Sequence, residues 1–402
     1  MSSALALVAP TASVRDGLLP AVCDDDPDER LVTDTLLERL DIAADLEALV
    51  EGLADLLEHA SSPRTRRAYE SDFTHFAGWA ADHGRAELPA APQTIALYIT
   101  SQQHDLRPAS LLRRLSAIAV RHRGAGYDSP TSHELVRRAV AGLRRKHGAR
   151  PAAKLALVTA QLAVICARLQ AEAEPPPLPA DSLPARQDQR RARAAAATAL
   201  RARRDRALLL VGYAAALRRS ELVALDVADL AEDAGGLRVF IQRSKTDQEG
   251  LGDFVGIVHG HPADTCSATC PIRAWREWRT AMATAAGTDT DDLPADSPAF
   301  RPVTRHGRLG TPTQADVNTR LTGQSVALIV KSAVTLLGDK RFLAANYAGH
   351  SLRAGFATQA AAAGVPLDRI MRQTRHSSVA TALRYIRQAD VWQNNASASL
   401  GL

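Results

Sequence analysis

Hydrophobic residues recur every three or four positions along most of this chain, which is the spacing of one face of an α-helix. From Thr33 to Ala60, leucines at this spacing are separated by acidic residues, so the segment is predicted to form one acidic amphipathic helix. From Ser62 onward, an aromatic stripe and three segments bounded by Pro, Gly or Ser predict a small helical bundle. The stripe is Tyr69, Phe73, Phe76 and Trp79, and the segments are Pro92–Gln103, Pro108–Arg123 and Ser132–Lys146.

The second half of the chain combines helical patterns with one short stretch of alternating residues. A helix is predicted at Thr159–Leu169 with Thr159 as its N-cap, and an Arg-rich stretch, Arg186–Arg206, continues into the apolar Ala207–Leu217. Leu237–Arg243 and Asp253–His259 alternate as the strands of a hairpin. Further helices are predicted at Cys270–Ala285, Thr313–Leu321, Ser325–Leu337, Ser351–Gly364, Pro366–Gln373 and Ser378–Ala389. The predicted fold class is mainly α, with a small antiparallel β-sheet in the second domain.

Changes in composition divide the chain into four predicted parts. Residues 1–60 form an acidic tail and the amphipathic helix, and residues 61–147 form the helical bundle. A Pro- and Gly-containing linker at 148–156 leads to a second domain at 157–402, which carries a Pro- and Arg-rich insertion at about 174–206. The leucine face of the first helix has three possible partners: its own domain, a basic surface that it would shield, or a second copy of the chain.

Charge is distributed unevenly along the chain. The 402 residues carry a net charge of +5, but residues 1–60 contain 14 acidic residues against three arginines, so the remainder carries +16. A body this basic favours nucleic-acid phosphates as partners, although ribosomal and membrane-surface proteins are also basic. No apolar run approaches the roughly 18 residues of a membrane span, and four scattered cysteines indicate a reducing compartment. A cytoplasmic protein without a membrane partner is predicted.

Several familiar kinds of chemistry are missing from the sequence. It contains no P-loop, no His-Glu-x-x-His, no Gly-x-Ser-x-Gly and no Gly-x-Gly-x-x-Gly after a strand, which argues against ATP hydrolysis and zinc proteolysis. His259, His261, Cys266 and Cys270 lie within twelve residues, but His-x-His and Cys-x3-Cys are not the usual zinc spacings. Zinc is the weaker alternative here, and we predict neither a metal nor a cofactor.

Cationic and proton-transfer groups gather toward the C-terminus instead. In order, they are Leu217-Arg218-Arg219-Ser220-Glu221-Leu222, Lys245 at the hairpin, Gly349-His350-Ser351-Leu352-Arg353, His376-Ser377-Ser378 and Tyr385. At these residues the chain resembles the tyrosine recombinase, or phage integrase, family over about residues 61–402, and its Tyr385-Ile386-Arg387 is most similar to Cre-like members. The family often has Gly before the Leu-Arg pair and before the last His, where this chain has Ala216 and Arg375.

The resemblance implies a site-specific DNA recombinase that acts through a 3′-phosphotyrosine without metal or ATP. Its helical N-terminal module and its catalytic module would hold double-stranded DNA from two sides. It further implies four protomers on two recombination sites and a Holliday-junction intermediate, with an accessory DNA-bending protein as an optional partner. A type IB topoisomerase and a DNA-binding regulator without catalysis are the alternatives.

The chemistry of a phosphodiester explains why these residue types occur together. The guanidiniums of Arg218 and Arg353 can bind the nonbridging oxygens on which charge develops. A tyrosine with a pKa of about 10 is almost entirely protonated at neutral pH, so Tyr385 needs a base, and His350 is our candidate. Each residue alone is better explained as an ordinary surface or core residue, and only their joint occurrence argues for a site.

Three further side chains complete the predicted site. Lys245 would protonate the leaving 5′ oxygen, His376 would hydrogen-bond the phosphate, and Glu221, three residues beyond Arg218 on the same helical face, would orient His350 or the arginines. Outside the site, Arg113, Arg114 and Arg121 on the third bundle helix are predicted to contact DNA in a major groove. A solvated face is the alternative for these arginines.

Overall fold

A computed structural model describes most of the two predicted domains. The described residues are 49, 52, 53, 56, 63–148, 154–174, 185–242, 252–260, 267–310 and 319–383. The chain divides into two compact units, Met1–Ala152 and Ala153–Leu402. Among the described helices, none combines the length and the apolar character that a membrane span requires.

The first unit is a bundle of helices. Its described elements are α1 (Pro63–Asp82), α2 (Pro92–Gln102), α3 (Pro108–Gly124), a short 3-10 turn (Pro130–Ser132) and α4 (Glu134–His147). Helices α2 and α3 each begin with Pro. This is favourable because backbone N–H groups in the first turn have no hydrogen-bond acceptor within the helix, so the N–H that Pro lacks is not missed. These helices lie close to the boundaries that the sequence predicts.

Aromatic and aliphatic side chains from these helices form the core of the first unit. Phe76 and Tyr98 are fully buried, and their ring centroids lie 5.1 Å apart in an edge-to-face arrangement. Leu111 and Ile118 of α3 close the same core. The aromatic stripe of α1 is therefore a packing surface, as its helical spacing predicts.

The second unit is built mainly from helices around α6. Its described helices are α5 (Thr159–Ala173), α6 (Ala185–Ala214), α7 (Arg219–Ala224), α8 (Pro271–Ala286), α9 (Gly323–Thr335), α10 (His350–Ala362) and α11 (Leu367–Thr374). Helix α6 packs against α5, α8 and α10. Residues 379–383 are also helical.

A three-stranded antiparallel sheet stands beside these helices within the described residues. Its strands are β1 (Leu230–Asp233), β2 (Gly236–Ile241) and β3 (Asp253–Val258), in the order β1-β2-β3. Val239 in the central strand pairs with Leu230 on one side and Val255 on the other, and all three side chains are buried. The prediction of a mainly α fold with a small antiparallel sheet is confirmed.

The sequence missed strand β1. It has only four residues and joins β2 through the two-residue turn between Asp233 and Gly236. Gly236 has φ 140°, and a Cβ there would stand 2.2 Å from the carbonyl oxygen of Ile257. The predicted two-stranded hairpin therefore corresponds to strands β2 and β3 of a three-stranded sheet.

Two predicted helix boundaries and the predicted end of a third helix are wrong. Val158, not Thr159, is the N-cap of α5, and its N–H donates to the Gln161 side chain at 3.1 Å. Helix α6 ends at Ala214, three residues before the predicted Leu217. At residues 319–321, the end of the predicted helix Thr313–Leu321, the chain is not helical.

Other predictions fall outside the described residues. They concern the acidic segment 1–48, residues 149–153 of the linker, the Pro-rich segment 175–184, the hairpin turn 243–251, residues 311–318 and the chain after 383.

Candidate active site

The turn between α6 and α7 positions Arg218. The chain leaves α6 at Ala214, passes through Ala216 with φ 49°, and places Arg218 at the N-cap of α7. Glu221 closes this turn from inside the helix. Its Oε2 accepts the backbone N–H of Arg218 at 2.8 Å, and its Oε1 accepts Nη1 of Arg218 at 2.6 Å.

This arrangement corrects the predicted relation between the two residues. Arg218 and Glu221 do not share a helical face, because Arg218 has the extended backbone of an N-cap. Glu221 provides the half of a capping box in which the N3 side chain accepts the N-cap N–H, and it adds an ion pair to the Arg218 side chain. The carboxylate thus fixes both the backbone and the guanidinium of Arg218.

Glu221 is buried and is bound by a second arginine. Nη2 of Arg375 donates to Glu221 Oε2 at 2.7 Å, and the Glu221 side chain is 1% exposed. Burial would raise the pKa of Glu221, but Arg375 and then Arg218 outweigh it, so the pKa is lowered. The carboxylate is ionised at neutral pH and serves as the shared anion of two guanidiniums.

Arg353 approaches the same turn from α10. Its residue exposure is 1%, and its Nη1 donates to the carbonyl oxygen of Ala216 at 2.8 Å. His350 is the first residue of α10, three positions before Arg353, so the two side chains lie on the same helical face. This helix face therefore presents the imidazole of His350, an exposed residue, beside the buried guanidinium of Arg353.

His376 follows directly after α11. Thr374 Oγ1 donates to the carbonyl oxygen of Ile370 at 2.7 Å and lies 2.8 Å from His376 Nδ1. Because the single hydroxyl proton is used at Ile370, Nδ1 of His376 is the donor in the second contact. His376 Nε2 is therefore the unprotonated nitrogen when the ring is neutral.

Charge and burial keep both imidazoles neutral. Burial, followed by Arg353 and Arg218, lowers the pKa of His350. Burial, followed by Arg353, Arg218, His350 and Arg375, lowers the pKa of His376 to about 4. Since both arginines act on both histidines, Arg218, His350, Arg353 and His376 form one electrostatic cluster.

The cluster carries an excess of positive charge. Among the residues that the structure describes, it contains the guanidiniums of Arg218, Arg353 and Arg375 against the carboxylate of Glu221. Neutral histidines leave this excess unchanged. The arrangement suits a bound anion, since a phosphodiester would meet cations supplied by the protein itself.

Two predicted site residues, Lys245 and Tyr385, lie outside the described residues. Gly252 and Asp253 resume the chain after the hairpin turn, and residues 379–383 are helical just before Tyr385.

One residue of the alternative zinc site has a different role in the structure. Cys270 is the N-cap of α8, and its Sγ accepts the N–H of Arg273 at 3.4 Å. Within the described segments, no group of three or more His, Cys, Asp or Glu side chains is placed to hold a metal ion. His261 and Cys266 lie outside those segments.

The predicted DNA-contacting arginines of α3 have partners inside the first unit. Arg113 forms a bidentate ion pair with Asp72, at 2.6 and 3.0 Å, while its own side chain remains 54% exposed. The Arg114 side chain is only 15% exposed, and its Nη1 donates to Tyr98 Oη at 2.9 Å. The guanidinium of Arg121 lies 5.4 Å from the Phe73 ring centroid.

The sequence missed the roles of Ala216, Thr374 and Arg375. Ala216 and Arg375 are the positive-φ residues other than Gly in the described chain, and they stand at the two places where the resembling family often has Gly. The absence of Gly at these two positions is the sequence feature that points to Ala216 and Arg375. The contact of Arg375 with Glu221 gave no signal, because 154 positions separate the two residues.

Comparison with known proteins identifies the family. Residues 50–125 match the phage integrase N-terminal SAM-like domain. Over 343 residues the chain is 34% identical to an integrase/recombinase XerD homologue of Selenomonas ruminantium, and this match covers 85% of the chain and 86% of that protein.

Recombinases are among the solved structures that the chain matches. A lambda integrase dimer bound to a COC′ core site is 13% identical, with a TM-score of 0.48 over 82% of this chain and 73% of that one. The XerH site-specific recombinase bound to palindromic difH substrate is 15% identical, with a TM-score of 0.46 over 77% and 72%. The sequence identity to the XerD homologue extends over both compact units and confirms the resemblance seen in the motifs. The chain therefore belongs to the tyrosine recombinase, or phage integrase, family.

Proposed function

We propose that this protein is a site-specific DNA recombinase that cuts and rejoins double-stranded DNA through a 3′-phosphotyrosine intermediate. The observation that carries the proposal is the cluster of Arg218, His350, Arg353 and His376, with its excess of positive charge around two neutral imidazoles. The 34% identity to an integrase/recombinase supports the same reaction class.

In the first step, Arg218 and Arg353 bind the nonbridging oxygens of the scissile phosphate. Both guanidiniums are already held in place, Arg218 by Glu221 and Arg353 by the carbonyl oxygen of Ala216. Groups that are ordered before the substrate arrives need no reorganisation when charge develops in the transition state.

In the second step, the Tyr385 hydroxyl oxygen attacks phosphorus while the bond to the 5′ oxygen breaks. The phenolic proton passes to His350, which can accept it because burial, Arg353 and Arg218 lower its pKa and keep it neutral. Lys245 donates a proton to the leaving 5′ oxygen. The products are a 3′-phosphotyrosine and a free 5′-hydroxyl, and attack by a 5′-hydroxyl of the partner duplex reverses the step with a new strand.

His376 must take up a proton before it can donate a hydrogen bond to the phosphate. Its Nδ1–H is bonded to Thr374, so Nε2 has to gain a proton before it can donate to a phosphate oxygen. The negative charge of bound DNA favours that gain, since it raises the pKa of a nearby imidazole. DNA binding is thereby coupled to the uptake of a proton.

The first unit supplies further contacts with the DNA backbone. Arg113 is the best placed of the three predicted arginines because more than half of its side chain is exposed, whereas Arg114 and Arg121 act mainly in packing. The active form is a tetramer on two recombination sites, with an accessory DNA-bending protein where the sites require one. Such an enzyme works in the cytoplasm on the nucleoid.

Covalent trapping tests this proposal. The wild type and a Tyr385→Phe variant are incubated with nicked duplexes taken from the DNA that flanks the coding sequence, and denaturant-stable adducts are sought. A 3′-linked adduct with the wild type alone is the expected result. An adduct with both proteins would contradict the assignment of Tyr385, and binding without any adduct across a random-site selection would indicate a regulator.

A supercoiled plasmid that carries two selected sites distinguishes the remaining alternatives. Deletion or inversion products are expected of a recombinase. Relaxation without exchange of partners would instead indicate a topoisomerase, which needs no second site.

A further inference from the structure

We propose that Arg375 is a positioning residue of this site, which fixes Arg218 through Glu221 and is held in an unfavourable backbone conformation in order to do so. The inference rests on the proposed function for its consequence in catalysis. Its structural part, the fixing of Arg218, can be measured without DNA.

The contacts form a chain of three side chains. Arg375 Nη2 donates to Glu221 Oε2 at 2.7 Å, and that same oxygen accepts the backbone N–H of Arg218 at 2.8 Å. The other oxygen of Glu221 accepts Nη1 of Arg218 at 2.6 Å. Arg218 Nη2 also lies 3.3 Å from the carbonyl oxygen of Arg375, so the link is closed from both ends.

The backbone of Arg375 shows that this arrangement is maintained against a local preference. Arg375 is in the left-handed region, with φ 52° and ψ 47°, where a residue with a Cβ is disfavoured and Gly is not. Such conformations persist where the surroundings determine them. Here Nη1 of Arg375 is placed 3.2 Å from the carbonyl oxygen of Gln373 and 3.4 Å from that of Ala215.

Termination of α11 does not by itself account for an arginine at this position. The N–H of Arg375 bonds back to Arg372, as at many helix ends, and Gly or Asn would serve that purpose with less strain. Direct contact with DNA does not account for it either, since the side chain is 5% exposed and Nη2 is engaged by Glu221. What remains specific to arginine is a buried guanidinium that shares a carboxylate with Arg218.

Two variants separate the side chain from the backbone strain. Arg375→Asn and Arg375→Gly both tolerate the left-handed conformation but remove the guanidinium. Arg369→Asn, at an exposed position of α11, removes the same charge and is the matched control. Single-turnover cleavage of a nicked duplex and the dissociation constant for the same duplex are measured for each.

We expect Arg375→Asn and Arg375→Gly to slow cleavage by about tenfold or more, as small displacements of a reacting group do, while the dissociation constant changes by less than about threefold. Arg369→Asn should retain the wild-type rate. In a Glu221→Ala background, Arg375→Asn should cause no further loss, because the side chain that connects Arg375 to Arg218 is absent. Loss of DNA affinity in place of cleavage rate would overturn the proposal, as would full additivity with Glu221→Ala.

A measurement on the DNA-free protein keeps this inference separate from the proposed function. Hydrogen exchange of the Arg218 backbone amide, which Glu221 protects, should accelerate in Arg375→Asn and not in Arg369→Asn. If the wild type cleaves no DNA but this exchange accelerates, the recombinase assignment fails and the positioning contact stands. If the exchange is unchanged, Arg375 does not position Arg218, whatever the protein does to DNA.

Discussion

Nη1 of Arg353 donates a 2.8 Å hydrogen bond to the carbonyl oxygen of Ala216, two residues before Arg218. One proposed phosphate-binding arginine thus holds the turn that carries the other. The turn passes through Ala216 with φ 49°, so its shape depends on a residue in the left-handed region. The relative position of the two guanidiniums is therefore built into the backbone and does not await DNA.

The conformation of Ala216 predicts an unusual response to glycine. Ala216 and Ala215 are both fully buried, but only Ala216 has positive φ. Ala216→Gly relieves backbone strain, whereas Ala215→Gly does not. The free energy of unfolding should therefore be about 1 kcal/mol higher for Ala216→Gly than for Ala215→Gly. Urea unfolding of the two variants measures this difference. Equal losses would show that Ala216 is not strained.

The bond from Arg353 to Ala216 predicts that lysine cannot replace this arginine. Arg353→Lys keeps the charge but loses the planar fork that binds Ala216 and a phosphate oxygen together. Single-turnover cleavage should slow by about 10²-fold, the usual cost of one transition-state donor. Arg341→Lys, at a side chain that is 81% exposed, is the control and should retain the wild-type rate. A rate for Arg353→Lys within threefold of wild type would remove Arg353 from the phosphate site.

The sequence predicts part of this site correctly. Arg218, His350, Arg353 and His376 were predicted from local motifs, and the structure brings them into one cluster. These motifs can be recognised in the sequence because each lies at a helix end, where a few consecutive residues fix both the backbone and the side chain.

Other features of the site could not be predicted because they depend on contacts between distant segments. The pairing of Arg375 with Glu221 joins the end of α11 to the start of α7. The spacing of Arg218 and Glu221 likewise predicts that they share a helical face, whereas the left-handed Ala216 follows the end of α6 and Arg218 is an N-cap. Periodicity reports which side of a segment is buried and is insensitive to a reversal of φ at one residue.

The ion pair between Arg113 and Asp72 predicts a specific change in DNA binding. Asp72→Asn removes the buried carboxylate that pairs with Arg113 and Arg114; because only Arg113 is more than half exposed, one more cation becomes available to phosphate. The slope of log affinity against log salt for a random duplex should steepen by about 0.9. Asp82→Asn, at the exposed end of the same helix, removes an equal charge without releasing Arg113. If both variants steepen the slope equally, Arg113 does not contact phosphate.

His122 predicts that the first unit loses stability in acid. Its Nε2 accepts the N–H of Ala90 at 2.8 Å, its Nδ1–H donates to the carbonyl oxygen of Ile118 at 2.8 Å, and its burial lowers its pKa. The stabilisation is complete above the unfolded pKa of about 6.5 and declines as pH falls toward the folded pKa, by up to about 1.4 kcal/mol per pH unit.

Hydrogen exchange of the buried amides of α3, corrected for intrinsic rates, follows this loss between pH 7.5 and pH 5. His83→Gln, at an exposed histidine of the same unit, should leave the pH dependence intact, whereas His122→Gln should abolish it. A pH dependence that persists in His122→Gln would assign the effect to another group.

His376 predicts that DNA binding takes up a proton. In the free protein, burial, Arg353, Arg218, His350 and Arg375 lower its pKa to about 4, so the ring is neutral at pH 6. A bound phosphate opposes the arginines and raises that pKa, so the complex holds a proton that the free protein does not. The uptake is present at pH values between the free and bound pKa and disappears well above the bound one.

Calorimetric titration with duplex DNA at pH 6, in two buffers of different ionisation enthalpy, counts the protons taken up. We expect a fraction approaching one proton for the wild type at pH 6 and almost none at pH 9. His376→Gln should remove this uptake, while His306→Gln, at an exposed histidine elsewhere in the unit, should not. If His376→Gln takes up as many protons as the wild type, the proton enters at another group, and His376 meets the phosphate without donating to it.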